Sequence, residues 1–266
     1  MPLEQTEGIV LRIVEFSETS LIVTLLTRDF GKLGALAKGA RRPKGPFEGS
    51  LDLLAVCRVV LLRKSSDALD LITESKLQRR FRACQRSEQT LTERLQRLYA
   101  GYYVTEMVRH WTDEGDPSRP MYDLTARTLG NLDGEADVAT TVTAFELQAL
   151  RILGLAPRLD RCVDCGGAVE ALARTAFGFA AGGVLCPRCA SKHRQTGWVR
   201  SAVLAAMQQG LTTVSLAPDW LDPSIYGELR AVLNRYIKGM LGREPRMQAF
   251  LPTRIEEPVP SHGTEL

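Results

Sequence analysis

Histidine is scarce in this 266-residue chain, which has only His110, His193 and His262. None stands in an H-E-x-x-H arrangement or beside a serine or cysteine placed to act as a nucleophile. The glycines from Gly31 to Gly39 have neither the G-x-x-x-x-G-K-[ST] spacing that cradles nucleotide phosphates nor the G-x-G-x-x-G spacing of a dinucleotide turn. These absences argue against a metallohydrolase, an NTPase and a dehydrogenase, and the chain is expected not to be an enzyme. No apolar run approaches the ~18 residues of a membrane span. The polar, acidic start from Met1 to Glu7 does not read as a signal peptide. Acidic residues are also thin between Arg28 and Lys64. There Arg28, Lys32, Lys38, Arg41, Arg42, Lys44, Arg58, Arg63 and Lys64 face only Asp29, Glu48 and Asp52, although the net charge of the whole chain is just +3. Such a local excess suits either a polyanionic partner or a solvated basic face.

What is present is a cysteine pattern. Cys162-Val163-Asp164-Cys165 is followed, after twenty residues, by Cys186-Pro187-Arg188-Cys189. Two Cys-x-x-Cys pairs at this separation match a tetrahedral site in which each pair forms one knuckle. Gly166-Gly167 suits the tight turn after the first pair, and Pro187 stiffens the second. The alternatives are two disulfides or unliganded thiols. Four thiolates would close the coordination of a Zn2+ ion, so the expected role is structural, and His193 would be a surplus ligand. Metal-type spacing points to a reducing cytoplasm. Cys57 and Cys84, distant from the four and from each other, read as small buried hydrophobes.

In chain order, residues 7–14, 20–27, 33–37, 53–63 and 68–73 are apolar, β-branched runs that predict five short strands. Asp29-Phe30-Gly31-Lys32 reads as a hairpin tip, with Gly31 where positive φ is needed. Five strands in under eighty residues suit a small closed or partly closed β-barrel. The composition changes near Ser75. Helical periodicity follows through Leu91, Leu95, Leu98 and Tyr102 to about Trp111, then over 121–132, 140–153, 200–210 and 224–241. The third of these is apolar on two faces and should be buried. The expected fold is α+β: a β-barrel domain over residues 1–80, a helical domain over 81–250, a zinc module inserted at 158–195, and a polar, proline-rich tail over 251–266 expected to fray.

The loop Lys38-Gly39-Ala40-Arg41-Arg42-Pro43-Lys44 is the best candidate for phosphate contact. Glycine and proline would hold it extended, with Lys38, Arg41, Arg42 and Lys44 fanned along a nucleic-acid backbone. Arg28 and Lys32 on the neighbouring hairpin tip would extend the same face. Aromatics available to stack on bases are few: Phe16, Phe30 and Phe47. Phe30 and Phe47 sit in loops beside basic residues, where they could stack on a base or plug the barrel end. Binding should therefore be charge-based, sequence-independent and salt-sensitive. In the last helix, Arg230, Arg235 and Lys238 flank a stripe of Tyr226, Leu229, Leu233, Tyr236, Ile237 and Met240, which is either core or a basic-rimmed pocket.

Two stretches resemble one family. Glu7-Gly8-Ile9-Val10-Leu11-Arg12, Glu18-Thr19, Leu26-Thr27-Arg28-Asp29-Phe30-Gly31-Lys32 and the Lys38–Lys44 loop resemble the N-terminal part of the bacterial recombination mediator family RecO. Gly154-Leu155-Ala156-Pro157 through Cys162, Cys165-Gly166-Gly167 and Gly182-Gly183-Val184-Leu185-Cys186-Pro187-Arg188-Cys189 resemble its zinc-bearing branch, and Leu241-Gly242-Arg243-Glu244-Pro245-Arg246 its closing basic segment. The resemblance implies an OB-fold for the barrel and binding of single- and double-stranded DNA. It also implies strand annealing, work with RecR, contact with the C-terminal tail of single-stranded-DNA-binding protein, and indirect help in loading RecA in a cytoplasmic, nucleoid-associated setting. A zinc-ribbon adaptor that binds RNA or protein in a transcription-associated role is the alternative reading.

Overall fold

The computed structural model describes residues 3–42, 45, 47, 49–64, 69–85, 88–169, 172–213 and 220–255. Lys44, the Cys84 side chain and the tail beyond residue 255 lie outside the described part.

Five strands close a barrel in the order β1-β2-β3-β5-β4: β1 Leu3–Glu15, β2 Leu21–Thr27, β3 Gly31–Ala37, β4 Val56–Leu62 and β5 Asp70–Arg79. All neighbours are antiparallel except β3 and β5. This is the OB-fold arrangement, with closure leaving no free sheet edge. β1 makes the closure possible. Its first half pairs with β4 and its second half with β2. A bulge at Leu11 falls between the Val10–Leu25 and Arg12–Thr24 pairs. A bulge re-aims side chains. Here Val10 stays in the barrel core while Leu11 joins a different core outside it.

β1 and β3 begin earlier than the sequence reading, at Leu3 and Gly31, and β4 and β5 differ from it in ways that bear on the domain joint. β4 starts at Val56, because residues up to Leu54 form a turn in which Leu54 adopts φ 68°. That conformation is uncommon for a leucine. It is held by packing: a Cβ at Gly101 of the facing helix would lie 2.8 Å from Leu54 Cδ1, so Gly101 provides the notch. β5 continues past Ser75 to Arg79. Glu74, Lys76 and Gln78 are its solvent-facing alternate positions, so the polar shift near Ser75 marks an outward face and not the end of the barrel.

The helices are α1 Leu91–Trp111, α2 Arg119–Asp133, α3 Val138–Ile152, α4 Pro187–Ala190, α5 Ser201–Thr212 and α6 Pro223–Leu241. α1 opens with a capping box in which Thr90 and Glu93 satisfy each other's backbone N–H groups. Its expected stripe reaches the core only in part: Leu98 and Tyr102 pack against it half-buried, and the first turn stands clear of it. Leu91 is 64% exposed, whereas residues 103 to 108 are all buried, because the second half of α1 is enclosed between the barrel and α2/α3. α3 is buried over most of its length, as its two apolar faces require. One core joins barrel to helices, with Ile9, Leu11, Leu26, Leu54 and Val56 against residues of α1, α2 and α3.

A second core lies beneath α5 and α6 and takes in a three-stranded antiparallel sheet that the sequence reading did not anticipate. Its strands are β6 Arg174–Gly178, β7 Gly183–Leu185 and β8 Thr196–Arg200. Phe177, Val184 and Val199 pack with Met207, Leu229 and Leu233. The two cores meet at a buried polar group. Glu146 of α3, 0% exposed, accepts two bonds from Arg230 of α6 and one from the Tyr103 hydroxyl of α1. Burial opposes the Arg230 charge, but the Glu146 carboxylate more than restores it and the net pKa is raised. Burial, then Glu146, hold the Tyr103 phenol well above its usual pKa, which keeps it a donor.

Candidate nucleic-acid interface and metal centre

The four predicted metal ligands converge. The Sγ atoms of Cys162, Cys165, Cys186 and Cys189 lie within 4.8 Å of one another, and Cys165 and Cys186 are 3.8 Å apart. A Zn–S bond of ~2.3 Å in a tetrahedron demands an S···S edge of about 3.8 Å. That separation is far beyond the ~2.05 Å of a disulfide, and none of the four forms one. The first knuckle is closed by Gly166 N–H to the Cys162 carbonyl, with Gly166 at φ +71°. The second is the start of α4, with Pro187 in its first turn and Cys189 N–H bonded to the Cys186 carbonyl. Burial pushes the Cys162 thiol up, yet backbone N–H groups of Cys165, Cys186 and Asp164 outweigh it and bring it down to about 6. N–H groups aimed at a sulfur stabilise thiolate, the form that binds metal. The donor set therefore fits Zn2+. His193 stands outside the set, 3.7 Å from an Asp164 oxygen. Cys162, Cys186 and Cys189 are buried, so a metal here would tie β7 and α4 to the Cys162 turn and would not offer a face to a ligand.

The predicted DNA-binding residues do not form one face. The register Thr27–Gly31 at one end of the β2/β3 hairpin and Leu21–Ala37 at the other puts Arg28 and Lys32 opposite the Lys38–Arg42 loop. Six residue steps separate the two ends, about 20 Å.

The hairpin tip is an internal joint. Lys32 Nζ donates to the carbonyls of Thr112 and, at 2.8 Å, Arg109 at the end of α1. A cation there is favoured by the helix dipole. Its pKa is lowered by burial against the opposing pull of Glu114 and Asp113. The loop after α1 covers the tip: Gly115 N–H bonds to the Lys32 carbonyl at 2.8 Å, and a Cβ on Gly31 (φ +70°) would lie 2.1 Å from the Asp116 carbonyl oxygen. Arg28 ties Glu7 at 3.6 Å to Asp123 of α2 at 4.0 Å. These two predicted contacts join barrel to helices.

The loop end is open. Lys38, Arg41 and Arg42 are exposed. The backbone there is not extended as expected but turns at Gly39 (φ +74°), with Arg42 N–H bonded to the Gly39 carbonyl. Arg41 N–H bonds to Thr19 across the β1–β2 turn, and its guanidinium sits 3.1 Å from Glu15. The turn that it touches carries Phe16, 61% exposed. Neither aromatic that the loop positions suggested is free in this way. Phe47 is 4% exposed and plugs the barrel, and Phe30 lies half-buried under the Arg63 guanidinium at 4.9 Å. Phe16 stands among the aromatics that the sequence offers, and its place in a polar turn is the signal that separates it from Phe30 and Phe47.

The last helix offers no basic-rimmed pocket. Its stripe is core, Arg230 is buried against Glu146, Arg235 stacks on Phe179 at 4.2 Å, and Lys238 pairs with Glu244 at 2.7 Å. Among the described residues no helix is long and apolar enough to cross a membrane.

Comparison with known proteins agrees with this layout. Residues 1–81 match the family model for Recombination protein O N terminal, and residues 92–248 match that for Recombination protein O C terminal. The chain is 45% identical to the DNA repair protein RecO of Rhodopirellula baltica, over 94% of this chain and 99% of that protein. It is 36% identical to the DNA repair protein RecO of an Anaeromyxobacter species (92% and 93%) and 33% to that of Moorella thermoacetica (93% and 90%).

Proposed function

The chain belongs to the recombination protein O family, and from that membership we propose that it acts in DNA repair as a non-enzymatic, sequence-independent binder of single- and double-stranded DNA. The open end of the OB barrel supports this reading most directly, with exposed Lys38, Arg41 and Arg42 beside exposed Phe16. These cations neutralise phosphates and release counterions, which leaves base edges free to pair and so suits strand annealing. Work with RecR, docking of the acidic tail of single-stranded-DNA-binding protein and help in loading RecA follow from the family reading; the residues that would carry them are not assigned. Zn2+ in the Cys162/Cys165/Cys186/Cys189 site would hold the module to the helical core. Cytoplasmic, nucleoid-associated localisation follows from DNA as the partner.

The test is fluorescence anisotropy of a labelled oligonucleotide across a salt series. Removing two phosphate contacts by Arg41→Ala/Arg42→Ala should reduce the slope of log K against log salt by about 1.4 on single strands. An unchanged slope removes the loop from the interface. Annealing of complementary strands, with and without single-stranded-DNA-binding protein, tests the mediator role itself.

A further inference from the structure

A cavity of about 450 Å³ opens where β1, α1 and the segment after α6 meet. Its wall carries Arg12 from β1, Arg109 from α1, and Arg243 and Arg246 from the C-terminal segment. Leu53, Tyr102 and Met247 give it an apolar side. The acidic residue within, Glu106, spends its two oxygens on the backbone N–H groups of Arg246 and Met247, each at 2.9 Å. That anchors the segment and leaves the guanidinium of Arg246 free of the carboxylate. Among the described residues none of the four arginines is in an ion pair. Arg243 instead donates to the His110 ring at 2.7 Å. Burial, then the neighbouring Arg12, hold the Arg109 pKa below its ordinary value, so the cations crowd one another. Four guanidinium groups gathered around one carboxylate, whose oxygens accept from backbone N–H groups, leave a net positive site for an anion.

The cavity is not isolated from the basic loop. Arg12, Val14 and Phe16 are alternate residues of β1 and the turn after it, and all three are exposed. Alternate residues share a face, and four steps span about 13 Å. The line ends where Arg41 and Arg42 stand, with Glu15 offsetting Arg41 alone.

We infer that one nucleic-acid strand runs along the outer face of β1, its backbone held at one end by Lys38, Arg41 and Arg42 and at the other by the four-arginine cavity, with Phe16 stacking on a base between them. The inference rests on the DNA-binding reading above and adds a second phosphate site built from both domains. An acidic peptide with an apolar end would also satisfy the cavity, but it would have no use for the exposed β1 face or the loop.

The experiment compares three variants on labelled oligo-dT across a salt series: Arg41→Ala/Arg42→Ala, Arg243→Ala/Arg246→Ala, and Phe16→Ala. The Arg246 backbone bond to Glu106 survives substitution, and unchanged thermal midpoints confirm folding; Arg12→Ala, an exposed strand position, provides a second cavity variant. The expected result is a slope reduced by about 1.4 for each double variant and about 0.7 for Arg12→Ala. Phe16→Ala should lose about five-fold or more in affinity with its slope unchanged. If only the loop variant loses slope, the cavity is not a DNA site, although the DNA-binding reading stands. If the wild-type protein binds no DNA, that reading fails first and the inference with it. If an acidic, apolar-ended peptide binds wild type but not the cavity variants, whose DNA slope is unchanged, the cavity belongs to a protein partner and the inference is overturned.

Discussion

Replacing Arg230 with methionine probes the junction of the two helical cores. Glu146 is fully buried, and Arg230 donates to both of its oxygens, one at 3.1 Å, while Arg230 also reaches Asn234. Methionine has similar length but no charge. It would leave a buried carboxylate with the Tyr103 hydroxyl alone. Breaking a buried pair in this way costs about 3–5 kcal/mol, because the remaining charge keeps its desolvation penalty and loses its partner. Against a total stability of roughly 5–15 kcal/mol, that is a large fraction. At about 2–4 °C per kcal/mol for a chain of this size, the thermal midpoint should fall by roughly 10 °C. Denaturant unfolding and a thermal melt, each followed by circular dichroism, measure the two quantities. The companion variant Tyr103→Phe/Glu146→Leu/Arg230→Met removes every member of the group and should recover most of the loss, since an apolar replacement leaves nothing unpaired. If the single variant lies within about 1 kcal/mol of wild type, or the triple variant is as unstable as the single, the reasoning about the junction is wrong.

Metal analysis of the purified protein should return one zinc per chain, and Cys186→Ser or a strong chelator should lower the unfolding midpoint far more than it weakens DNA affinity; the reverse order would make the cysteine module the DNA reader. Lys32→Met should cost about 1–2 kcal/mol in denaturant unfolding by removing the cation from the end of α1. It should leave the salt slope of DNA binding unchanged, and a reduced slope would restore Lys32 to the interface.

Local chemistry settled much of this molecule. Alternating β-branched runs specify strands because side chains point to opposite faces at every step, and the barrel reading needed only those runs and the turn at Gly31. The knuckles were equally legible, since metal geometry dictates ligand spacing within a few residues of chain. Gly154 at φ +71° ends α3 where glycine before proline predicts. Other features depend on what folds against what. Lys32 and Lys38 are the same residue type six positions apart, yet one is half-buried and hydrogen-bonded to the end of α1 and the other faces solvent; only the docking of the α1–α2 loop distinguishes them. Ser75 to Arg79 looks like a boundary by composition because a barrel strand with one wet face carries polar residues at every second position. The short strands β6 to β8 carry too few residues for a period to register, and they exist because the core under α6 receives Phe177, Val184 and Val199. Arg12, Arg109, Arg243 and Arg246 share a cavity across more than two hundred residues of chain. Sequence periodicity reports only neighbours within a turn or a strand, so the gathering of those four charges belongs to tertiary structure alone.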